Sequence, residues 1–273
     1  MDIVHNMSTI QALQDTVLWR YYQYARPLPW RFTDDPYAIW ISETMLCQTQ
    51  VSRVIRYYDR RLQLLPDMQA LAQADRKMLL QAWAWLWYNS RALRLQMCAQ
   101  TIIHQYQGII PQSYDQLIAL PWIWDYIASA LWAFVYHQDI PVIDTNIRRV
   151  LLHRFDLPRD THKKKLKEIA KQTIPLGQAR LWRNAMMDYG ALVLTPQVTG
   201  IQSQYRQSAF EWSTRQVRSR IIKQLLIQSH ITILDIKHRR SKHDVISIVN
   251  KLQTEKIVDC KQGLITLQCN IEI

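Results

Sequence analysis

Glycine is what this chain is short of. It has 5 glycines in 273 residues, where an ordinary globular chain carries roughly 7%. Glycine takes left-handed backbone without strain and lets a second backbone or a phosphate come close. Other absences exclude whole classes. No run of about 18 apolar residues occurs, so no membrane-spanning helix is expected. The opening MDIVHNMSTIQAL has no basic stretch followed by an apolar one, so it does not read as a secretory leader. Cys47, Cys98, Cys260 and Cys269 fit no zinc or iron–sulfur spacing. They read as isolated thiols of a reducing, cytoplasmic compartment. No strand pattern occurs before residue 230.

Tryptophan is over-supplied instead, with 11 copies. Four of them form the close pairs Trp85/Trp87 and Trp122/Trp124. The formal charge is +12, which points to a polyanionic partner, nucleic acid ahead of a membrane surface, although solubility alone also uses such a balance. Apolar spacing predicts helices over 8–23, 36–49, 51–64, 68–74, 76–83, 90–106, 111–120, 126–136, 144–155, 163–172 and 178–189. The polar stretch 197–213 reads as a linker. The tail predicts helices over 217–226 and 242–252, then two short strands around Gln262-Gly263, which together suggest a winged-helix unit packed on the main domain.

Several polar residues could carry chemistry. Glu43, in WISETMLCQTQ, shares a predicted helix with Trp40, Met45 and Leu46. A carboxyl beside an apolar face can serve as a general acid near neutral pH; a solvated glutamate is the plain alternative. Asp144, in PVIDTNIRRV, stands before a helix. It could be an N-cap or an anion facing positive charge on a sugar. Tyr126 starts the helix after the Trp122/Trp124 turn, within reach of a substrate, a phosphate or only the core. Gln48 and Thr49 could enter a base stack or a groove. Asn146, Arg148 and Arg149 could meet phosphate or face water. The basic runs HKKKLK (162–167), RQVRSR (215–220) and HRRSK (238–242) could neutralise phosphates or form wetted faces.

Residues 19 to 195 carry, in order, RPLPWRFTDDPYAIWISETMLCQTQV, WLWYNSRALRL, IPQSYDQLIALPWIWDYIASAL, PVIDTNIRRVL and LWRNAMMDYGALVLTP. Taken together these segments resemble the A/G-specific adenine DNA glycosylases of the helix–hairpin–helix superfamily. The resemblance implies an all-α fold of two helical subdomains with the active site in the cleft between them, plus the small winged-helix-like tail. It places one subdomain at 1–27 and 145–200, a six-helix barrel at 28–144 with its hairpin at 120–126, and the tail at 214–273. It implies a base-excision DNA N-glycosylase acting on adenine opposite 8-oxoguanine or guanine in double-stranded DNA, as a nucleoid-associated monomer. A thymine or uracil mismatch glycosylase of the same superfamily and a catalytically impaired DNA-binding relative are the alternatives.

Roles follow from the resemblance residue by residue. Glu43 matches the acid that protonates the departing adenine, and Asp144 the carboxylate that steadies the sugar cation. Tyr126 stands where bifunctional relatives carry a lyase lysine, which implies hydrolysis without strand cleavage. Gln48 matches a residue probing the opposite base and Tyr88 one near the lesion. Arg31, Thr49, Arg91, Asn146, Arg148, Trp122 and Trp124 are expected on the DNA or base side. The family's usual iron–sulfur cluster lacks its ligands here, since GALVLTPQVTGIQSQYRQSAF contains no cysteine, so no cofactor or metal is expected and packing must hold that loop. The long domain that helps the family recognise 8-oxoguanine is also not expected here. Finally, the resemblance calls for glycine at 85, 87, 122, 124 and 212, where this sequence has tryptophan. UGA codons that the organism reads as glycine would account for both the surplus and the deficit.

Overall fold

The computed structural model describes residues 7–83, 89–204, 213–236 and 244–268. In chain order the helices are α1 (Met7–Tyr24), α2 (Pro36–Leu46), α3 (Val51–Leu64), α4 (Met68–Gln73), α5 (Arg76–Trp83), α6 (Asn89–Tyr106), α7 (Tyr114–Ala119), α8 (Asp125–Phe134), α9 (Thr145–Arg154), α10 (Lys163–Thr173), α11 (Ala179–Leu192), α12 (Pro196–Thr199), α13 (Thr214–Ile227), α14 (Ile233–Ile236) and α15 (Val245–Thr254). A 3-10 turn, Pro29–Arg31, precedes α2. The strands are β1 (Ile231–Thr232), β2 (Val258–Lys261) and β3 (Leu264–Leu267). The fold is thus helical with a small terminal sheet, as the apolar periodicity predicts. Trp85, Trp87, Tyr88, Trp212 and the HRRSK run, to which the sequence assigns roles, lie outside the described residues.

The chain forms two compact units, one from Met1–Glu43, Gln112–Ile118 and Ile123–Arg206, the other from Thr44–Pro111, Ala119–Trp122 and Gln207–Ile273. In the first unit α1, α9, α10 and α11 enclose a core of Leu13, Val17, Val150, Leu151, Ile169, Trp182 and Met186. Trp182 satisfies its indole N–H on the Thr173 hydroxyl (3.2 Å), which lets a large amphipathic ring be buried without an orphaned donor. Helix α9 meets α11 at Gly190. A Cβ there would lie 2.6 Å from the backbone oxygen of Asn146, so only glycine permits this approach.

In the second unit α4 and α5 pack on α6. The Gln96 amide on α6 donates to the Ala74 carbonyl at 2.6 Å, closing the end of α4. Arg61 lies buried with its guanidinium 3.9 Å from the ring centre of Trp83. The tail belongs to this unit, with α13 packed on α5 and α15. Its sheet has the order β1-β3-β2, antiparallel throughout. The β2–β3 hairpin turns through Gln262 (φ 50) and Gly263 (φ 78), the paired positive φ values that match strand twist in a two-residue loop. Strand β1 is an addition to the two strands expected; two residues are too few for any alternation to register in sequence.

Helix α2 ends at Leu46, earlier than expected, because Gln48 adopts φ 57, a left-handed residue that stops a helix. Gln48 therefore sits exposed in a turn rather than on a helix surface.

Candidate active site

Helix α2 carries Glu43 on a side that the core covers, and only 3% of the residue is exposed. Helix α11 delivers Arg183 to it. Arg183 Nη1 donates to Glu43 Oε1 (3.0 Å) and Nη2 to Oε2 (2.8 Å). The two side chains are 5% and 3% exposed. Near the start of α8, the Tyr126 hydroxyl donates to Glu43 Oε2 (3.2 Å) and accepts from Arg183 Nη2 (2.6 Å). The ring of Phe134, on the same helix, lies with its centre 4.3 Å from the guanidinium carbon. Burial works against the charge of Arg183, but Glu43, Tyr126 and Asp144 outweigh it and hold the guanidinium protonated more firmly than a free arginine. The burial of Glu43 agrees with its predicted apolar face. Its partner does not follow from that face, because Arg183 lies 140 residues along the chain.

Asp144 caps α9: its Oδ1 accepts from the Ile147 N–H (2.7 Å) and its Oδ2 from the Asn146 amide (2.9 Å). The half-buried carboxylate is thus an N-cap, and its charge also reaches Arg183 and Arg149. Arg149 is buried and ties three pieces of chain. Its Nη2 donates to Asn146 Oδ1 (2.8 Å) and to the Gly190 carbonyl (2.7 Å), and its Nε to the Leu194 carbonyl (2.6 Å). Burial lowers the pKa of Arg149 while Asp144 opposes that.

The first unit therefore brings together Glu43, Tyr126, Asp144 and Asn146, with Trp124 at the N-cap position of α8. Arg31 also belongs to it, but its side chain is 5% exposed and turned inward. It donates to both oxygens of Asp188 (2.8 Å each), and Arg26 Nε joins on Asp188 Oδ1 (2.6 Å). Arg148 donates to the Arg159 carbonyl. Gln48, Thr49, Arg91 and Trp122 belong to the second unit. There Arg91 donates to the Thr44 carbonyl in the last turn of α2 (2.9 Å). The Trp122 ring has Arg94 stacked 3.9 Å from its centre. Trp122 itself has φ 65.

Two of the basic runs are partly neutralised. Lys163 and Lys167 each donate to Asp125 at 2.7 Å, and Arg218 pairs with Glu255. Arg183 and Asp188 are the residues that local pattern missed, and Arg149, expected to meet phosphate or face water, is buried and bonded internally instead. A signal for the first did exist: Arg183 occupies the same α11 stripe as buried Ala179, Met186 and Gly190, and a charge on an apolar stripe means a buried partner.

Among the described residues no set of thiols fits an iron–sulfur cluster. Cys47 follows α2, Cys98 is buried on α6 with burial pushing its thiol up to about 12, and Cys260 lies on β2. All three belong to the second unit, whereas residues 190–204 belong to the first and contain no thiol. Among the described residues no group of three or more potential metal ligands occurs. Instead Leu194 and Ile201 are buried in the core of the first unit, and Arg149 fastens the Gly190 and Leu194 carbonyls.

A helical chain with a short turn between α7 and α8, a buried glutamate held by tyrosine, and an aspartate capping the following helix is of the helix–hairpin–helix glycosylase class. Residues 41–176 match the HhH-GPD superfamily base excision DNA repair proteins, and the chain belongs to that superfamily. It is 31% identical over 191 residues to the adenine DNA glycosylase of Buchnera aphidicola subsp. Baizongia pistaciae, covering 68% of this chain and 54% of that protein. Against the adenine DNA glycosylase of Mycolicibacterium smegmatis it is 37% identical over 190 residues, covering 67% and 64%. Against that of Homo sapiens it is 33% identical over 208 residues, covering 71% and 38%. The chain thus spans about half the length of these curated relatives. Among solved structures, a thermostable thymine-DNA glycosylase superposes with TM-score 0.64 at 25% identity, over 69% of this chain and 89% of that one. Endonuclease III in a non-covalent DNA complex shares the fold with TM-score 0.62 at 16% identity, over 73% and 90%.

Proposed function

We propose that this chain is a monofunctional DNA N-glycosylase that removes adenine paired with 8-oxoguanine or guanine in duplex DNA, without an iron–sulfur cluster. One observation carries the reading: a buried glutamate, hydrogen-bonded by Tyr126, shares a unit with a helix-capping aspartate, in a chain about one third identical to adenine DNA glycosylases. Adenine leaves poorly until a ring nitrogen is protonated, and Glu43 is the acid for that step. The C1′–N9 bond then breaks with its electrons going to the base. Asp144 faces the oxocarbenium-like sugar, and water adds at C1′ to leave an abasic site. The nucleotide must first leave the stack, at about a few kcal/mol. Tyr126, which offers no amine, forms no Schiff base with the sugar.

Labelled duplexes with A:8-oxoG, A:G, T:G, U:G and A:C pairs test this. Adenine duplexes should be processed, with strand breakage only after alkali or heat; spontaneous breakage would remove the monofunctional reading. Glu43→Gln and Asp144→Asn should each lower the single-turnover rate by about 10²-fold or more. Arg183 favours a second reading, a thymine or uracil mismatch glycosylase, since a pyrimidine leaves as an anion and does not require general-acid help from a glutamate whose two oxygens Arg183 already engages. Processing of T:G and U:G with adenine untouched would select it.

A further inference from the structure

In chain order the tail runs α13, β1, α14, α15, β2, β3, and its sheet has the order β1-β3-β2. That connectivity makes α14 and α15 the two helices of a helix–turn–helix, with β2–β3 as its wing. An outline shared with other folds does not give a function; the side chains on it do. Helix α15 buries the stripe Val245, Ile248, Val249 and Leu252 and packs on α13 and β2. Its opposite stripe, Ser247, Asn250, Lys251 and Thr254, is exposed and repeats the same helical spacing. All four side chains can hydrogen-bond, and no acid lies among them. Ile246 beside them is 52% exposed. The acids of the tail are engaged within it. Asp244 caps α15 at the Ile246 N–H (3.0 Å), Glu255 pairs with Arg218 of α13, and Asp235 accepts from the Thr232 N–H (2.6 Å). Asp259 is half-buried on β2. Lys251, Lys256 and Lys261 are exposed, and no hydrogen bond or ion pair engages their side chains among the described residues. Lys256 lies just past α15, and Lys261 stands at the β2–β3 turn.

We propose that α15 and the β2–β3 hairpin form a second duplex-DNA site, with the exposed stripe of α15 in the major groove and Lys256 and Lys261 on backbone phosphates. The side chains suit that groove. Lys251 matches the acceptors of a guanine edge, Asn250 the donor and acceptor of adenine, Ser247 and Thr254 either purine, and Ile246 a thymine methyl. Lysines clear of carboxylates release counterions when they meet phosphate. A protein partner would call for an apolar centre with aromatic anchors, whereas Ile246 is the one exposed apolar residue of α15. The site belongs to the second unit and Glu43 to the first. It needs no mispair, so it goes beyond the excision reading and gives the protein a grip on undamaged duplex.

The test is fluorescence anisotropy of the full chain on undamaged, fully paired duplexes of several sequences, each over a salt series. It compares wild type with Lys256→Ala/Lys261→Ala, Lys256→Arg/Lys261→Arg and Asn250→Ala/Lys251→Ala. All four residues are exposed, so thermal melts by circular dichroism should overlay wild type. Lys256→Ala/Lys261→Ala should weaken binding to every duplex by about tenfold and flatten the log–log salt slope by about two. The Arg pair, which keeps both charges, should restore affinity and slope. Asn250→Ala/Lys251→Ala should weaken binding by about tenfold or more and narrow the differences between sequences. Wild-type affinity and slope in Lys256→Ala/Lys261→Ala would overturn the proposal, leaving the stripe to a protein partner or to water. So would sequence preferences that Asn250→Ala/Lys251→Ala leaves untouched, or a loss that the Arg pair does not restore. A protein that binds these duplexes through the tail and excises no adenine would remove the excision reading and keep this one. Excision that persists with wild-type binding in all three variants would do the reverse.

Discussion

At the scale of the residue, the two tryptophans of the α7–α8 turn are not equivalent. Trp122 has φ 65, a left-handed backbone that costs a bulky side chain about 1–2 kcal/mol and a glycine almost nothing. Trp124 has φ −104 and ψ 166, extended backbone open to any residue. Both indoles are nearly half exposed, 45% and 44%, unlike Trp30, Trp40, Trp83 and Trp182, which are buried. The backbone thus asks for glycine at 122, whereas at 124 the question is the bulk of an indole before a helix whose first N–H groups would meet a phosphate. Trp122→Gly relieves strain but gives up the Arg94 stacking, about 0.5–1 kcal/mol, so the melting temperature should change little. Duplex affinity is where the change should show. Trp122→Gly/Trp124→Gly should bind about tenfold tighter, the worth of one or two charge-assisted amide–phosphate bonds, and fluorescence anisotropy would measure it. If UGA is read as glycine, peptides of the natively made protein should have glycine masses at 122 and 124. Tryptophan masses there would end that explanation.

At the scale of the element, α11 organises the first unit. It presents Arg183 to Glu43, Asp188 to Arg26 and Arg31, and Gly190 to α9. Gly190→Ala would set a methyl against the Asn146 backbone, which cannot rotate away as a side chain could. Overpacking of this kind costs about 1–3 kcal/mol. It would also shift the N-terminus of α9, where Asp144 and Asn146 sit. Denaturant unfolding should show the modest stability loss, and single-turnover excision should fall further than stability accounts for. Asp188→Ala tests the other end of the helix. It strands the inward-turned guanidinium of Arg31 beside the partly exposed one of Arg26, so the loss should be about 3 kcal/mol, read as a lowered denaturation midpoint.

At the scale of the whole molecule, charge decides the response to acid and to salt. Burial raises the pKa of Asp188, but hydrogen bonds from Arg31 and from the Arg26 N–H outweigh it and leave the carboxyl below the usual aspartate range. Burial likewise raises that of Asp125, and Lys163, Lys167 and Tyr114 outweigh it. A carboxyl whose folded pKa is depressed stabilises the fold above its unfolded value, about 3.9, and that stability is lost as pH falls toward the folded value. These two groups should therefore leave stability flat from about pH 5 to 8 and contribute to unfolding below about pH 4, which circular dichroism against pH would follow. The net charge of +12 predicts duplex binding that weakens with added salt, with a log–log slope near −0.9 per phosphate neutralised. Lys163, Lys167 and Arg218 already have acidic partners, so the slope should be smaller than the formal charge implies.

The sequence by itself determined the helices, their order and the terminal hairpin, because those depend on apolar spacing, proline and turn residues that lie within a few positions of one another. It set Glu43 beside an apolar face while leaving it open to solvent, offered Asp144 as a helix cap for the same reason, and through the family resemblance asked for glycine at 122 as at four other positions. The tertiary structure alone decided what faces Glu43. Whether that carboxyl meets hydrocarbon or a guanidinium depends on how α11 lies across α2, and no local pattern encodes a contact made across 140 residues. It also turned Arg31 inward to Asp188 and fastened the 190–204 segment through Arg149 and core packing. Side-chain charges acquire their chemistry from neighbours that only folding brings within hydrogen-bonding reach.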